Sequence, residues 1–192
     1  MSVKNYTDEE IIEKLSALSE SGIRHREAEA VYFNELFNRY YSQAYSFIRY
    51  YGLSHEDTRD VIQECFIRIY NLGKTYKKGK PFKPWFFKVI LNLVRDKYGE
   101  LKRKKYHDID NYIDDPAISK EENIIEKLQN NDYIRSILNR LPTRLKEVLT
   151  LKFYSEMSMT EIAETLGIQQ RQAYNILEQA YKEFKKVLEA EE

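Results

Sequence analysis

The spacing of apolar residues limits this chain to a helical fold. They recur every three or four positions along most of its 192 residues, and only 6 glycines and 4 prolines interrupt the pattern. This spacing aligns side chains along one face of an α-helix. No alternating pattern typical of a β-strand persists. The sequence therefore predicts an all-α protein.

Capping residues and turn residues divide the first half into helices. Thr7 and Glu10 form a capping box before the first helix. A long helix is predicted from about residue 27 to 51, and another from 54 to 72. A fourth begins at Pro84. Its predicted buried residues are Phe82, Trp85, Phe86, Val89 and Leu93. We predict that residues 1–103 form one helical domain.

Residues 104–120 are predicted to be an acidic linker. They lack helical periodicity and contain four aspartates and Pro116. A second helical domain is predicted from residue 121 to 192, in which Leu141-Pro142 begins a helix.

The second domain contains a helix-turn-helix pattern. Ser158 and Glu161 form a capping box, Ala163 is small enough for two helices to cross closely, and Gly167 suits a turn. A generic helical hairpin is the alternative. The predicted inner face of the second helix comprises Ala173, Ile176, Leu177, Ala180 and Phe184.

The outer face of that second helix is polar. Amides and arginine pair well with base edges, and the start of such a helix usually reaches them. Each residue is also compatible with an ordinary polar surface. The outward residues are Arg171, Gln172, Asn175, Glu178, Gln179 and Lys182.

Charge is distributed unevenly, although the formal net charge is zero. Residues 74–105 contain twelve Lys or Arg and two acidic residues, whereas residues 107–132 contain eight acidic and two basic residues. The basic segment favours polyanion binding over a merely solvated lysine-rich face, because its lysines flank aromatic residues.

Several classes of protein are disfavoured. Cys65 is the single cysteine, which excludes an internal disulfide and fits a reducing, cytoplasmic compartment. We find no membrane-spanning apolar run, signal peptide, Gly-rich phosphate loop or nucleophile motif. His25, His55 and His107 show no metal-ligand spacing. The sequence predicts no enzyme activity, no cofactor and no metal.

The helix over 54–72 has an apolar face and a polar face. Val61, Ile62, Cys65, Phe66 and Ile69 are predicted to point inward. The opposite stripe contains Asp60, Gln63, Glu64, Ile67 and Asn71. An exposed isoleucine among acids and amides is typical of a partner-binding face, and a solvated stripe with one stray isoleucine is the alternative.

Two separate motif groups, joined by the linker, resemble bacterial RNA polymerase sigma factors. The first is Asp60-x-x-Gln63-Glu64-x-Phe66, followed by Trp85, Asn92 and Asp96; the second is Leu141-Pro142 with Glu161-Ile162-Ala163-x-x-Leu166-Gly167. The resemblance covers about residues 28–188. It indicates the small, two-domain extracytoplasmic-function (ECF) group of the sigma-70 family.

The resemblance implies a division of labour. The first domain of such proteins grips the β′ clamp helices of core RNA polymerase, and it reads and melts the −10 promoter element. The last domain reads the −35 element and touches the β flap. An anti-sigma protein commonly holds the free factor.

The resemblance implies a role for particular residues of this chain. Core polymerase is predicted to bind Asp60, Gln63, Glu64, Ile67 and Asn71. The −10 strand is predicted to contact Tyr76, Lys77, Lys78, Lys80, Phe82, Lys88, Asn92 and Arg95. Phosphates are predicted to contact Lys102, Arg103, Lys104 and Lys105. The −35 duplex is predicted to contact Gln170, Arg171, Gln172, Asn175 and Gln179. Trp85 is expected in the core, and Asp96 fits a helix-stabilising role.

Some positions depart from the family pattern. Ile90 and Leu91 are bulky where a small residue is common, and Gly99 stands where an arginine is common. The recognition helix has few cations, because Tyr174, Ile176, Gln179 and Tyr181 occupy positions where cations are frequent. The acidic linker fits both a mimic of RNA charge and a solvated tether.

Two other functions fit parts of the sequence. An autonomous helix-turn-helix regulator would bind duplex DNA without polymerase, but it leaves the stripe over 60–72 and the aromatic loop unexplained. A sigma-like adaptor would bind only a protein partner, and the weakly basic recognition helix favours it.

Overall fold

The computed structural model describes residues 3–20, 26–72, 76, 79–107 and 125–190, and this part of the chain is helical with short connecting turns. A 3-10 turn at Val3–Asn5 precedes the α-helices. They are α1 (Asp8–Glu20), α2 (Arg26–Tyr50), α3 (His55–Leu72), α4 (Phe82–His107), α5 (Ile125–Arg140), α6 (Thr143–Phe153), α7 (Met159–Leu166) and α8 (Gln170–Glu189). No described residue forms a β-strand, so the predicted all-α fold class is confirmed.

Helices α1 to α4 pack together through an aromatic core. Phe47, Phe82, Phe86 and Phe87 are fully buried and meet in edge-on and stacked contacts. The predicted capping box begins α1, because the Thr7 amide donates to Glu10 and the Glu10 amide donates to Thr7 Oγ1.

Helix α3 follows its sequence pattern closely. The Asp57 amide donates to Ser54 Oγ, which confirms the predicted cap. The residues predicted to point inward are all buried. They are Val61, Ile62, Cys65, Phe66 and Ile69.

Helix α4 differs from its prediction at both ends. It begins at Phe82 instead of Pro84, because Glu9 of α1 accepts a hydrogen bond of 2.8 Å from the Phe82 amide. It continues to His107, so residues 104–107, predicted to belong to the linker, are helical. The remaining linker residues, 108–120, lie outside the described residues.

Helix α4 is also buried on two sides instead of one. Of its predicted core residues, Trp85 and Val89 are only half-buried. Residues that a single-face helix would expose are buried as well: Phe87, Ile90, Leu91 and Val94. The reason is that α4 packs against α3 on one side and against α7 on the other. This packing accounts for the bulky Ile90 and Leu91.

The rear helices form the predicted helix-turn-helix. Ser158 and Glu161 make the capping box of α7, and Gly167 ends α7 in the left-handed conformation with φ 67°. Ala173 and Ala180 are buried where α8 crosses its neighbours.

The core runs without a break from α1–α4 into α6 and α7. A second apolar cluster joins α5, α6 and α8. No helix among the described residues combines the length and apolar character needed to cross a membrane.

Candidate functional site

An exposed polar stripe follows α3, and we call Asp60, Gln63, Glu64, Ile67 and Asn71 the α3 stripe. All five side chains are exposed. Ile67 is 45% exposed, which is unusual for an isoleucine and leaves an apolar centre among acids and amides. Glu64 and Arg68 form an ion pair of 2.8 Å one turn apart. The opposite face of α3 is buried in the core, and this packing fixes the position of the stripe.

A shallow cleft of about 600 Å³ separates the α3 stripe from α4. Asp60 and Glu64 line one wall, and Asp96 and Arg103 line the other. Lys97 crosses its edge and lies 2.9 Å from Asp57 and 3.5 Å from Asp60.

Helix α4 has an exposed stripe of its own, and we call Lys88, Asn92, Arg95 and Arg103 the α4 stripe. These four residues are exposed on α4, as are Asp96, Gly99 and Glu100. Three cations and an amide on one face suit a nucleic-acid backbone. Arg95, at the edge, binds Glu147 of α6 through its Nη2 at 2.6 Å and its Nε at 2.9 Å.

The predicted aromatic contacts to an extruded base are not available in this structure. Phe82 is fully buried, and Tyr76 is 7% exposed against Phe82 and Trp85, with its hydroxyl donating to the Lys80 carbonyl. Burial raises the pKa of Tyr76 to about 12. The sequence analysis predicted Phe82 both as a buried residue and as a DNA contact, and the structure shows only its burial. The burial of Tyr76 was not predicted, because Tyr76 belongs to no regular apolar face. Lys80 is exposed.

Some predicted DNA contacts fall outside what the structure describes. Lys77 and Lys78 lie outside the described residues, as do the side chains of Lys102, Lys104 and Lys105.

The outer face of α8 is open. The predicted −35 residues Gln170, Arg171, Gln172, Asn175 and Gln179 are all exposed. The side-chain Nε2 of Gln170 donates to Thr160 Oγ1 at 3.0 Å, which ties the start of α8 to α7. The Gln169 amide donates to Gln172 Oε1 at 3.4 Å, so this predicted base-reading side chain also caps its own helix.

The structure adds one candidate to the outer face of α8. Tyr174 is 54% exposed and lies beside Arg171 and Asn175. The sequence analysis noted only that a cation is common at this position. Glu178 pairs with Lys182 at 2.7 Å, which neutralises one of the two cations on this face and leaves Arg171.

Neither a metal site nor a reactive thiol is found in the described part of the chain. No cluster of three metal-ligating side chains occurs there. Cys65 is buried, and burial raises the pKa of its thiol to about 12, so little thiolate forms near neutral pH.

Comparison with known proteins identifies both halves of the chain. Residues 36–104 match the family model "Sigma-70 region 2", and residues 131–184 match "Sigma-70, region 4". Together these matches cover well over half of the chain.

Curated relatives agree with the family models. RNA polymerase sigma factor NccH of Alcaligenes xylosoxydans xylosoxydans is 27% identical over 70% of this chain and 75% of its own length. ECF RNA polymerase sigma factor SigW of Bacillus subtilis is 27% identical over 62% of this chain and 68% of its own length.

Solved structures share the fold. CnrH, in complex with the cytosolic domain of CnrY, has a TM-score of 0.69 at 21% identity and covers 95% of this chain and 99% of its own. The sigma factor RpoE of Bartonella quintana, in complex with the anti-sigma factor NepR, has a TM-score of 0.66 at 17% identity, covering 83% of this chain and 98% of its own.

The fold, the two regions and their order define a transcription initiation factor. The chain belongs to the sigma-70 family of RNA polymerase sigma factors, in its extracytoplasmic-function group.

Proposed function

We propose that this sigma factor binds core RNA polymerase through the α3 stripe and opened promoter DNA through the α4 stripe. The observation that carries the proposal is the contrast between these two exposed surfaces on adjacent helices. One is acidic with an apolar centre, and the other is cationic. Both are mounted on one rigid aromatic core, so a single domain holds polymerase and DNA in fixed relation.

The α3 stripe fits the clamp helices of the β′ subunit. Acidic and amide groups around Ile67 supply an apolar contact and a charged rim, which is the usual composition of a protein interface. Asp60, Gln63, Glu64 and Asn71 form the rim.

Melting of the −10 element is assigned to Lys80, Lys88, Asn92 and Arg95, with Lys77, Lys78, Lys102, Arg103, Lys104 and Lys105 holding phosphates. Tyr76 and Phe82 contribute to this function by supporting the start of α4, since both rings are buried.

The outer face of α8 is proposed to read the −35 element, and the rear domain to touch the β flap. Gln170, Arg171, Gln172, Asn175 and Gln179 are the reading residues. The face is weakly basic, so amide contacts to adenine carry more of the recognition than phosphate contacts.

The proposal includes domain limits, chemistry, location and regulation. We assign residues 1–107 and 121–192 to the two domains and 108–120 to the linker, since α4 continues to His107. The chain supplies binding energy and performs no catalysis, and it acts in the cytoplasm with polymerase. An anti-sigma protein is a proposed partner, since CnrY and NepR occupy complexes with two proteins of this fold.

Reconstitution with core polymerase tests this function. We expect run-off transcripts from promoters selected out of a random pool, and none from core enzyme alone. Failure to form holoenzyme, or holoenzyme that starts no transcript, contradicts the proposal.

The weakly basic face of α8 favours one second candidate, an adaptor that binds polymerase but initiates nothing. It predicts stable holoenzyme without transcripts. The autonomous regulator instead predicts tight duplex binding in a gel shift without polymerase.

A further inference from the structure

The first turn of α4 is capped by a residue from another helix. A helix leaves its first backbone N–H groups without partners of its own, and the residue before it usually supplies a side-chain oxygen that accepts from one of them. Here that residue is Pro81, whose side chain has no oxygen. Glu9 of α1 takes this place, because its Oε1 accepts from the Phe82 amide at 2.8 Å. A carboxylate at this end of a helix also complements the helix dipole.

Glu9 is held in position through its neighbour Asp8. Arg39 of α2 donates to Asp8 Oδ1 at 2.7 Å, and the Tyr40 hydroxyl donates to Asp8 Oδ2 at 2.5 Å. The Tyr40 ring packs edge-on against the Phe82 ring, with centroids 5.2 Å apart. Two consecutive residues of α1 therefore bind α2 and the start of α4, and the contact between Tyr40 and Phe82 joins these two attachments.

The chain just before α4 folds back onto the same first turn. The Tyr76 hydroxyl donates to the Lys80 carbonyl, and the Tyr76 ring lies edge-on to Phe82 and Trp85 at centroid distances of 6.4 Å and 5.6 Å. Burial raises the pKa of Tyr76, and the nearby charge of Glu9 raises it further. The backbone position of Lys80 therefore depends on the turn that Glu9 caps.

Lys80 and Lys88 are exposed cations of the proposed −10 surface, one on each side of this turn. Lys80 precedes α4 and Lys88 lies on it, so the distance between the two charges depends on how the helix begins. If that distance were not fixed before the strand arrives, part of the binding free energy would be used to order the loop. A fixed start of α4 therefore favours the opened strand.

We propose that Glu9 is a positioning residue for promoter melting: by capping α4, it fixes Lys80 relative to Lys88 and so stabilises the opened −10 strand. The inference rests on the proposed function, because it concerns the same DNA surface. It adds α1 to that function, although the sequence analysis linked α1 to neither polymerase nor DNA. Glu9 acts through the Phe82 amide and not by contact with the strand.

Transcription from duplex and pre-opened promoters tests this role. Glu9→Leu removes the acceptor at similar size, whereas Glu9→Gln keeps an oxygen that can accept from Phe82. Glu13→Leu removes a carboxylate one turn further along α1 and is the matched control. Each variant is combined with core polymerase and assayed by run-off transcription on a duplex promoter, and on the same promoter with mismatched strands across the −10 element.

We expect Glu9→Leu to give about tenfold fewer transcripts than Glu13→Leu from the duplex, which is the size of effect that loss of a helix cap produces. On the mismatched template the strands are already apart, so the two variants should agree within about twofold. Glu9→Gln should recover most of the activity on the duplex. Holoenzyme formation should be equal for all variants.

Four results overturn the inference. They are equal transcription by Glu9→Leu and Glu13→Leu on the duplex, a deficit of the same size for Glu9→Leu on both templates, a Glu9→Gln variant as deficient as Glu9→Leu, and failure of Glu9→Leu to form holoenzyme. The last result would make Glu9 a purely structural residue. If wild-type holoenzyme does not form or transcribes neither template, the proposed function itself has failed, and the inference fails with it.

Amide hydrogen exchange tests the cap in the free chain. The Phe82 amide should exchange about tenfold faster in Glu9→Leu than in Glu13→Leu, because its acceptor is lost. NMR measures this amide individually. Equal exchange in the two variants overturns the assignment of Glu9 as the cap of α4.

Discussion

Helices α3 and α4 are neighbours in one domain, yet they present their outer faces very differently. The α3 stripe is open along its whole length, whereas α4 is covered on two sides and exposes only a narrow band whose edge is bound by Glu147. Part of this difference comes from the rear domain, because α7 packs against α4. The contrast teaches that two neighbouring helices on one core can present surfaces of different width and charge.

The largest expected effect concerns the core that the two stripes share. Phe86 is fully buried among Tyr40, Phe66, Phe82 and Phe87. Phe86→Ala should lower the free energy of unfolding by about 3–5 kcal/mol, because it leaves a cavity beneath both stripes. Ile67→Ala is the exposed control and should change it by less than about 0.5 kcal/mol. Chemical denaturation measures the free energy of unfolding of both variants. If the two variants lose the same amount, α3 and α4 do not share the core around Phe86.

The next effect concerns the open α3 stripe. Glu64→Lys reverses a charge at its centre and should weaken binding to core polymerase by about 2 kcal/mol, or about thirtyfold. Loss of the exposed pair with Arg68 should cost at most about 0.5 kcal/mol of stability. Glu56→Lys makes the same change on α3 outside the stripe and should bind normally. Unchanged affinity of Glu64→Lys would remove the stripe from the interface.

A smaller effect concerns Lys146 of α6, which lies against Tyr51 and near the Tyr98 ring of α4. Burial lowers the pKa of Lys146 from 10.5 to about 8. Below pH 8 the lysine is protonated whether the chain is folded or unfolded, and the full cost of burying its charge is present. As pH rises from 8 toward 10.5, the folded chain binds fewer protons than the unfolded chain. The free energy of unfolding therefore increases over this range.

The free energy of unfolding should rise by at most about 1.4 kcal/mol per pH unit over this range. Lys146→Met removes the titrating group, so the stability difference between wild type and variant should move in favour of wild type between pH 8 and 9.5. Tyr51 and Tyr98 also face Lys146, and burial raises the pKa of both, so they remain neutral over this range. If the stability difference between wild type and Lys146→Met does not change with pH, burial between the domains does not lower the pKa of Lys146.

The smallest effect concerns the exposed band of α4. Lys88→Ala should weaken promoter binding by holoenzyme by about 1 kcal/mol or less and reduce the salt dependence of binding by about one charge. Lys185→Ala, on the far end of α8, is the matched control. Holoenzyme formation should be normal in both. An unchanged salt slope for Lys88→Ala would exclude Lys88 as a phosphate contact.

Local patterns predicted much of this structure. The capping boxes at Thr7 and Ser158, the inner face of α3 and the left-handed Gly167 are all local features, and all are confirmed. Each depends on residues a few positions apart, where sequence spacing determines geometry.

Features that depend on distant contacts were not predictable in the same way. The start of α4 depends on Glu9, 73 positions away. The buried Phe87 ring meets Phe47 of α2, which is also distant in the chain. The pairing of Arg95 with Glu147 joins two residues 52 positions apart, and no periodicity indicates it. The two predicted domains therefore gave no sign of the interface between them.

The most direct test of the account separates two steps in one assay. Wild type, Glu64→Lys and the double variant Lys88→Ala with Asn92→Ala are mixed with core polymerase, and holoenzyme formation and run-off transcription are measured on the same samples. The account predicts that Glu64→Lys fails at assembly, whereas the double variant assembles normally and loses transcription. Loss of assembly in the double variant, or normal assembly and transcription in Glu64→Lys, would contradict it.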